Sequence, residues 1–151
     1  MKQVTLSQLK KLQACNDAVK CFVDKFGNFA DVKTIFKALI KAKKLDWANW
    51  LIARLLSKEN RIRYAVFAAE QVIDIYEKKY PNDDRPRRAI GAAKAVLKKN
   101  TDETRYAAYA AYAAADAAAY AADAADADSM AAVKLKIIRY GIRLLSKEEG
   151  K

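Results

Sequence analysis

Residues 57–99 of the chain read SKENRIRYAVFAAEQVIDIYEKKYPNDDRPRRAIGAAKAVLKK. Apolar side chains recur here every three or four positions, which is typical of amphipathic α-helices. Ser57 is a suitable N-cap, so the pattern predicts a helix from about Lys58 to Lys79. The stretch 80–86 then breaks the pattern. Because Pro86 is tolerated in a first helical turn and Asp83 or Asp84 can cap it, a second helix is predicted from about Pro86 to Lys99.

Helical periodicity continues on both sides of this stretch. Upstream it predicts a helix from Leu6 to a C-terminal Gly27, a second one capped by Asp31, and a short third one from about Asp46. Downstream it predicts a long alanine-rich helix and a last helix from Ala131 to Ser146. With only 4 Gly and 2 Pro in 151 residues, the chain has too few turn-forming residues for an all-β fold. The sequence predicts an all-α, compact single-domain bundle of about six to seven helices over residues 1–151.

The alanine-rich segment carries an ordered set of other residues. Between Ala107 and Ala132, 17 of 26 residues are alanine, the best helix former. Tyrosine and aspartate follow each other at spacings of three and four, which places them on one stripe of a helix: Tyr109, Tyr112, Asp116 and Tyr120. In one interpretation, these side chains contact solvent or hydrogen-bond to neighbouring helices around a slim central helix. In the other, they line a polar cleft that binds a ligand. Methyl-lined helices also pack between protomers, so a homo-oligomer is compatible with the sequence.

Positive charge is concentrated outside that segment. Residues 106–133 carry four aspartates and no basic side chain, so the chain's net +11 becomes +15 over the other 123 residues. Much of this charge, including Lys33, Lys37 and Lys41, is interpreted as solvated helix face. Arg85, Arg87 and Arg88 form a local cluster at a predicted helix start. Helix N-termini and guanidinium groups both attract phosphate or carboxylate, but Asp83 and Asp84 can equally neutralise the cluster in ion pairs.

The residue inventory argues against catalysis. The chain has no histidine, no Ser–His or Cys–His pair, no glycine-rich phosphate loop and no cluster of zinc-type ligands, so no catalytic residue, metal or cofactor is predicted. Cys15 and Cys21 are expected to be small buried residues kept reduced. The N-terminus lacks a secretory signal and aspartates interrupt the alanine-rich segment, so we expect a cytoplasmic protein with no membrane span.

Several segments together resemble an immunity protein family of bacteria, plasmids and phages. They are Cys15-Asn16-Asp17, Asp46-Trp47-Ala48-Asn49-Trp50-Leu51, Arg54-Leu55-Leu56, Phe67-Ala68-Ala69-Glu70, Tyr80-Pro81-Asn82-Asp83-Asp84-Arg85-Pro86-Arg87-Arg88-Ala89-Ile90 and the alanine tract. The resemblance runs from about Leu9 to Leu145 and is most specific at Asp84-Arg85-Pro86-Arg87. It implies an all-helical, non-enzymatic protein of microbial or phage conflict. The chain departs from the family in having Gly91 where members often carry an acid, and in having no histidine in the tract.

Three binding functions remain compatible with these features. The one we favour from sequence is sequestration of a small anionic, nucleotide-like ligand. Arg85 and Arg88 would hold phosphates, with Arg87 in the same cluster and Arg54 as an auxiliary cation, while Trp47, Trp50 and Tyr112 offer stacking surfaces. The two tryptophans are more often core anchors than ligand contacts. The alternative is an immunity protein that binds a toxin directly; the net charge of +11 would repel the basic active site of a nuclease, so a non-nuclease toxin is expected. The third is non-specific binding of nucleic acid, for which the chain has no recognition motif.

Overall fold

The computed structural model describes residues 2–99 and 127–148. The predicted alanine-rich helix, with Tyr109, Tyr112, Asp116 and Tyr120, lies outside these residues. The described part contains seven helices and one two-stranded antiparallel sheet, which confirms the predicted all-α class. In chain order the elements are β1 (Gln3–Thr5), α1 (Leu6–Lys11), α2 (Asn16–Phe26), β2 (Phe29–Asp31), α3 (Val32–Lys41), α4 (Leu45–Leu55), α5 (Lys58–Lys79), α6 (Arg85–Lys98) and α7 (Ala127–Glu148).

The N-terminal region differs from its prediction in two ways. The single helix expected from Leu6 to Gly27 is interrupted by a turn in which Gln13 has a φ of 59°. Cys15 lies at the end of this turn and is exposed, so the expectation that it is buried was wrong, while Cys21 on α2 is partly buried; both are free thiols. The small sheet, in which Val4 lies opposite Ala30, was not predicted from the sequence.

Local capping explains the helix starts that were predicted correctly. Asp31 Oδ1 accepts a hydrogen bond from the Thr34 amide at 2.9 Å, and Ser57 Oγ accepts one from the Asn60 amide at 3.4 Å. Helices α5 and α6 begin and end within one residue of their predicted bounds. Helix α7 begins earlier and ends later than predicted, and its last residue, Glu148, accepts hydrogen bonds from the Ser57 amide and the Asn60 side chain at 3.0 and 2.6 Å. The end of α7 is thereby tied to the start of α5.

The main core joins the N-terminal elements to the last helix. Its buried residues come from β1 through the first part of α5 and from α7, and its largest fully buried side chains are Val4, Phe36, Ile52, Ile138 and Leu145. Gly141 lets α7 approach closely, because a Cβ there would lie 2.6 Å from both Ile52 Cγ2 and Tyr64 Cε2. A smaller cluster, containing Val66, Ile73 and Ile90, packs α6 along α5. The arginine-bearing start of α6 therefore belongs to a different core cluster from the tryptophans of α4.

Candidate functional site

The first arginine of the cluster is held by a neighbouring carboxylate. Arg85 donates to both oxygens of Asp83, from Nε to Oδ1 at 2.8 Å and from Nη2 to Oδ2 at 2.6 Å. Asp83 also accepts from the Tyr76 hydroxyl at 2.7 Å and from the Arg85 amide at 3.1 Å. The hydrogen bonds from Arg85 and Tyr76 hold the pKa of Asp83 far below its usual range. The Asp83 side chain thus accepts hydrogen bonds both from the start of α6 and from the last turn of α5.

The other two arginines are paired as well. Arg87 forms two 2.6 Å hydrogen bonds to Glu77 across the loop and lies 3.9 Å from Asp74, while Arg88 lies 3.2 Å from Asp84 one helical turn earlier. The Arg87 side chain lowers the pKa of Glu77. All three guanidinium groups remain more than half exposed, but each already has a carboxylate partner. The ion pairing that the sequence left open is therefore present at all three arginines.

The predicted aromatic residues lie together on α4. Trp47 and Trp50 are three positions apart, so they share one side of the helix, and both are partly buried. The Lys44 ammonium lies 4.8 Å from the ring centre of Trp47, and the Arg54 guanidinium carbon lies 4.2 Å from that of Trp50. Each tryptophan thus carries a cation at cation–π distance. Arg54, predicted as an auxiliary cation, therefore lies against the ring of Trp50.

Both tryptophans line an apolar cavity of about 390 Å³ between α2, α3 and α4. Phe22 and Phe26 of α2 and Leu39 of α3 contribute to its wall. Arg85 instead borders a separate, shallow hollow formed by residues 79–85. The described residues therefore bring Trp47, Trp50 and Arg54 together but do not join them to the arginine cluster. The predicted cleft also required Tyr109, Tyr112, Asp116 and Tyr120, which fall outside the described range.

The N-terminal elements carry a cluster of unpaired positive charge. Residues 2–44 contain ten lysines and only three aspartates. Lys33, Lys37 and Lys41, here called the lysine face, are exposed at four-residue intervals on α3 and have no ion-pair partner among the described residues. From their spacing in the sequence, these three lysines were interpreted as solvated surface. The sequence signal that marks this region is the excess of lysine over aspartate in residues 2–44.

None of the described helices is long and apolar enough to cross a membrane. Over the same part of the chain, no three histidine, cysteine, aspartate or glutamate side chains are grouped closely enough to hold a metal ion. Among the described residues, the lysine face and the tryptophan-lined cavity are the two features that we consider for partner binding. Both lie in the N-terminal part of the chain.

Two family models match the chain. The model described as Imm-5 like putative immunity protein matches residues 52–144, and that of the YdhT N-terminal domain matches residues 1–60. Comparison with curated proteins and with solved structures gave no match. The immunity match confirms the resemblance seen in the sequence, although it begins at residue 52 rather than near Leu9. It contains the paired arginines, whereas the lysine face and both tryptophans fall within the other match.

Proposed function

Because the chain belongs to the Imm-5 like immunity protein family, we propose that it is a non-catalytic binding protein that neutralises a protein toxin by docking directly onto it. The observation that supports a specific docking surface is the lysine face of α3. Its three ammonium groups are exposed and unpaired within the described residues, whereas the arginines of α6 are already paired with carboxylates. Free cations are available to a partner without the loss of an internal ion pair.

The charge of this surface selects the kind of toxin. A toxin with an acidic patch would be steered onto the lysine face and would associate quickly at low salt. A nuclease presents a basic, phosphate-binding active site and would be repelled by the same residues. We therefore propose an acidic, non-nuclease toxin as the partner, in the cytoplasm where both free thiols remain reduced.

Charge reversal on the lysine face tests this proposal. The first variant is Lys33→Glu/Lys37→Glu/Lys41→Glu, and its matched control is Lys136→Glu/Arg139→Glu/Lys147→Glu on α7, which changes net charge equally. The control residues are also exposed and unpaired within the described chain. Each protein serves as bait in affinity purification, and the recovered partner is then tested for toxicity alone and when co-expressed with the chain.

We expect a stoichiometric acidic toxin that binds the wild-type chain and the α7 control but not the α3 variant. Its affinity should fall as salt is raised, because screening shortens the range of these charges to about 8 Å at physiological ionic strength. Protection of cells should follow the same order among the three proteins. Recovery of a nuclease that binds the α3 variant as tightly as wild type would contradict the proposal.

A small nucleotide-like anion is the second candidate partner. The observation that favours it is the stacking of a cation on each tryptophan of α4, since nucleotide recognition combines an aromatic surface with a positive charge. Calorimetry with cyclic and ADP-ribose-type nucleotides tests it, using Arg54→Ala alongside Arg85→Ala/Arg88→Ala. Heat that is lost only in Arg54→Ala would place the ligand at α4. Loss only in the double variant would place it at α6 if Asp83→Asn, which weakens the Arg85–Asp83 link and keeps both arginines, still binds. No heat with any nucleotide would eliminate this candidate.

We also propose that residues 1–151 form a single domain, although two family models divide the chain. The support is the main core, in which Val4 and Phe36 from the first matched region pack in the same cluster as Ile138 and Leu145. The two regions would therefore unfold together.

A further inference from the structure

We propose that the cavity between α2, α3 and α4 binds a single-chain anionic amphiphile, namely a medium-chain carboxylate. Its alkyl chain would lie against the apolar wall and its head group beside Lys25 and Lys44. This binding activity goes beyond toxin neutralisation, and the lysine face does not line the cavity. The two proposals therefore stand on different residues.

The size and wall of the cavity suit an alkyl chain. Its volume of about 390 Å³ lies within the range of small-molecule sites, about 300–1,000 Å³, and far above the voids of a packed core. The wall is aliphatic and aromatic over most of its extent, with Leu9, Phe22, Phe26, Ile35, Leu39 and Leu51 among its residues. A hydrocarbon chain gains free energy when it leaves water for such a wall. A polar ligand would lose hydrogen bonds to water there without replacing them.

Small side chains keep the cavity open. Ala14 and Ala18 on the α2 side, and Ala38 and Ala42 on the α3 side, all line it. Larger apolar residues at these four positions would fill the space and stabilise the protein by burying more surface. The cavity is thus shaped by four alanines from two separate regions of the chain and does not result from one missing side chain.

Charge at the cavity determines the sign of the head group. Lys25, Lys44 and Asp46 are the charged residues that line it. Asp46 accepts a hydrogen bond from Lys134 of α7 at 3.1 Å, so its charge is already compensated. Lys25 and Lys44 have no carboxylate partner among the described residues, and Lys44 is positioned over Trp47. The uncompensated charge beside the apolar wall is positive, which favours a carboxylate head.

The two tryptophans make the cavity directly observable. They are the only tryptophans of the chain, and both line the cavity, so intrinsic fluorescence reports on this site alone. The experiment titrates the full chain with octanoate, decanoate and dodecanoate below their micelle concentrations, and repeats each titration by calorimetry. Dodecanol and dodecyltrimethylammonium serve as neutral and cationic probes of equal chain length. We expect saturable binding that tightens by up to about fourfold for each added methylene, with the cationic probe bound most weakly.

Two variants locate the ligand. Ala38→Leu places a good helix former in the cavity and should abolish binding of dodecanoate while leaving the circular dichroism spectrum unchanged. Lys25→Gln/Lys44→Gln should weaken dodecanoate by about two- to thirtyfold and leave dodecanol unaffected, as expected for two exposed ion pairs. Lys33→Gln/Lys37→Gln is the matched control, because it removes the same charge from outside the cavity.

Several results would overturn the inference. These are no saturable binding of any carboxylate, equal binding of the cationic and anionic probes, or unchanged binding in folded Ala38→Leu. Equal weakening by both lysine pairs would overturn it too, because net charge rather than the cavity would then attract the ligand. None of these results bears on toxin binding, which is measured with substitutions on the lysine face.

Discussion

Gly141 is the position where the packing of α7 against α4 and α5 can be tested most directly. Replacing it by alanine adds a Cβ that would lie 2.6 Å from Ile52 Cγ2, 2.6 Å from Tyr64 Cε2 and 3.1 Å from Ile52 Cδ1. Ile52 is fully buried and branched at Cβ, so its methyl group cannot move without disturbing its own contacts. The Tyr64 ring is held by a 2.6 Å hydrogen bond from its hydroxyl to Asn49 Oδ1. Neither neighbour has an easy route out of the way.

The expected change in stability is the balance of two effects. Overpacking a well-filled core destabilises by about 1–3 kcal/mol, and two contacts this short place Gly141→Ala at the upper end. Alanine gains about 1 kcal/mol over glycine in a helix interior, so the net loss should be about 2 kcal/mol. Gly91 is the matched control, because it lies within α6 and an added Cβ would meet nothing within 4 Å. Gly91→Ala should therefore stabilise by about 1 kcal/mol, which separates the two variants by about 3 kcal/mol.

Unfolding by urea and by heat measures this difference. For a chain of this size, each kcal/mol shifts Tm by about 2–4 °C, so the two variants should differ by about 6–12 °C. Far-ultraviolet circular dichroism follows all helices, whereas tryptophan fluorescence follows α4 alone. If the chain is one domain, both signals should shift together in Gly141→Ala. A Gly141→Ala protein as stable as wild type would refute the packing argument, and a fluorescence transition that stays in place would refute the single domain.

Three further predictions concern the surroundings of single side chains. Glu148→Gln should destabilise by about 0.5–1.5 kcal/mol in urea at neutral pH, because a carboxylate that accepts from the Ser57 amide becomes an amide. The Arg85 guanidinium lowers the pKa of Asp83 in the folded state, so the stability that Asp83 contributes is present above the unfolded pKa near 4 and is lost as pH falls below it. Urea midpoints measured from pH 7 down to pH 2 should fall less steeply in Arg85→Gln than in wild type. Burial raises the pKa of Tyr64, so this tyrosine should not ionise near pH 10 with the others. The tyrosinate absorbance that develops near pH 10 should therefore be the same in Tyr64→Phe as in wild type, and a smaller absorbance in the variant would show that Tyr64 is not buried.

Local signals account for the helices that could be predicted. Asp31 and Ser57 cap their helices with their own side chains, and such caps are recognisable from residue type and position. The break between α1 and α2 had no such signal, because the turn contains neither glycine nor proline and depends on Gln13 at a positive φ. Such a conformation is uncommon for glutamine, so the surrounding tertiary structure and not local preference selects it.

Prediction of the candidate site was limited by contacts between elements. The two tryptophans and Arg54 could be placed together because they share one helix. The partner of Arg87 could not be predicted, since Glu77 lies ten residues earlier, on the preceding helix. The cavity could not be predicted either, because its walls come from four helices whose packing order was undetermined.

Because Arg85 is ion-paired, a loss of binding in a variant of the arginine cluster can have a structural cause. Its guanidinium holds Asp83, which in turn accepts from the hydroxyl of buried Tyr76 near the end of α5. Arg87 adds a second link between α6 and α5 through Glu77. The arginine cluster therefore links α5 to α6. Arg85→Ala should loosen the start of α6 whether or not a ligand binds there. A binding defect in an arginine variant identifies a ligand contact only if Asp83→Asn, which weakens the same link without removing a cation, leaves binding intact.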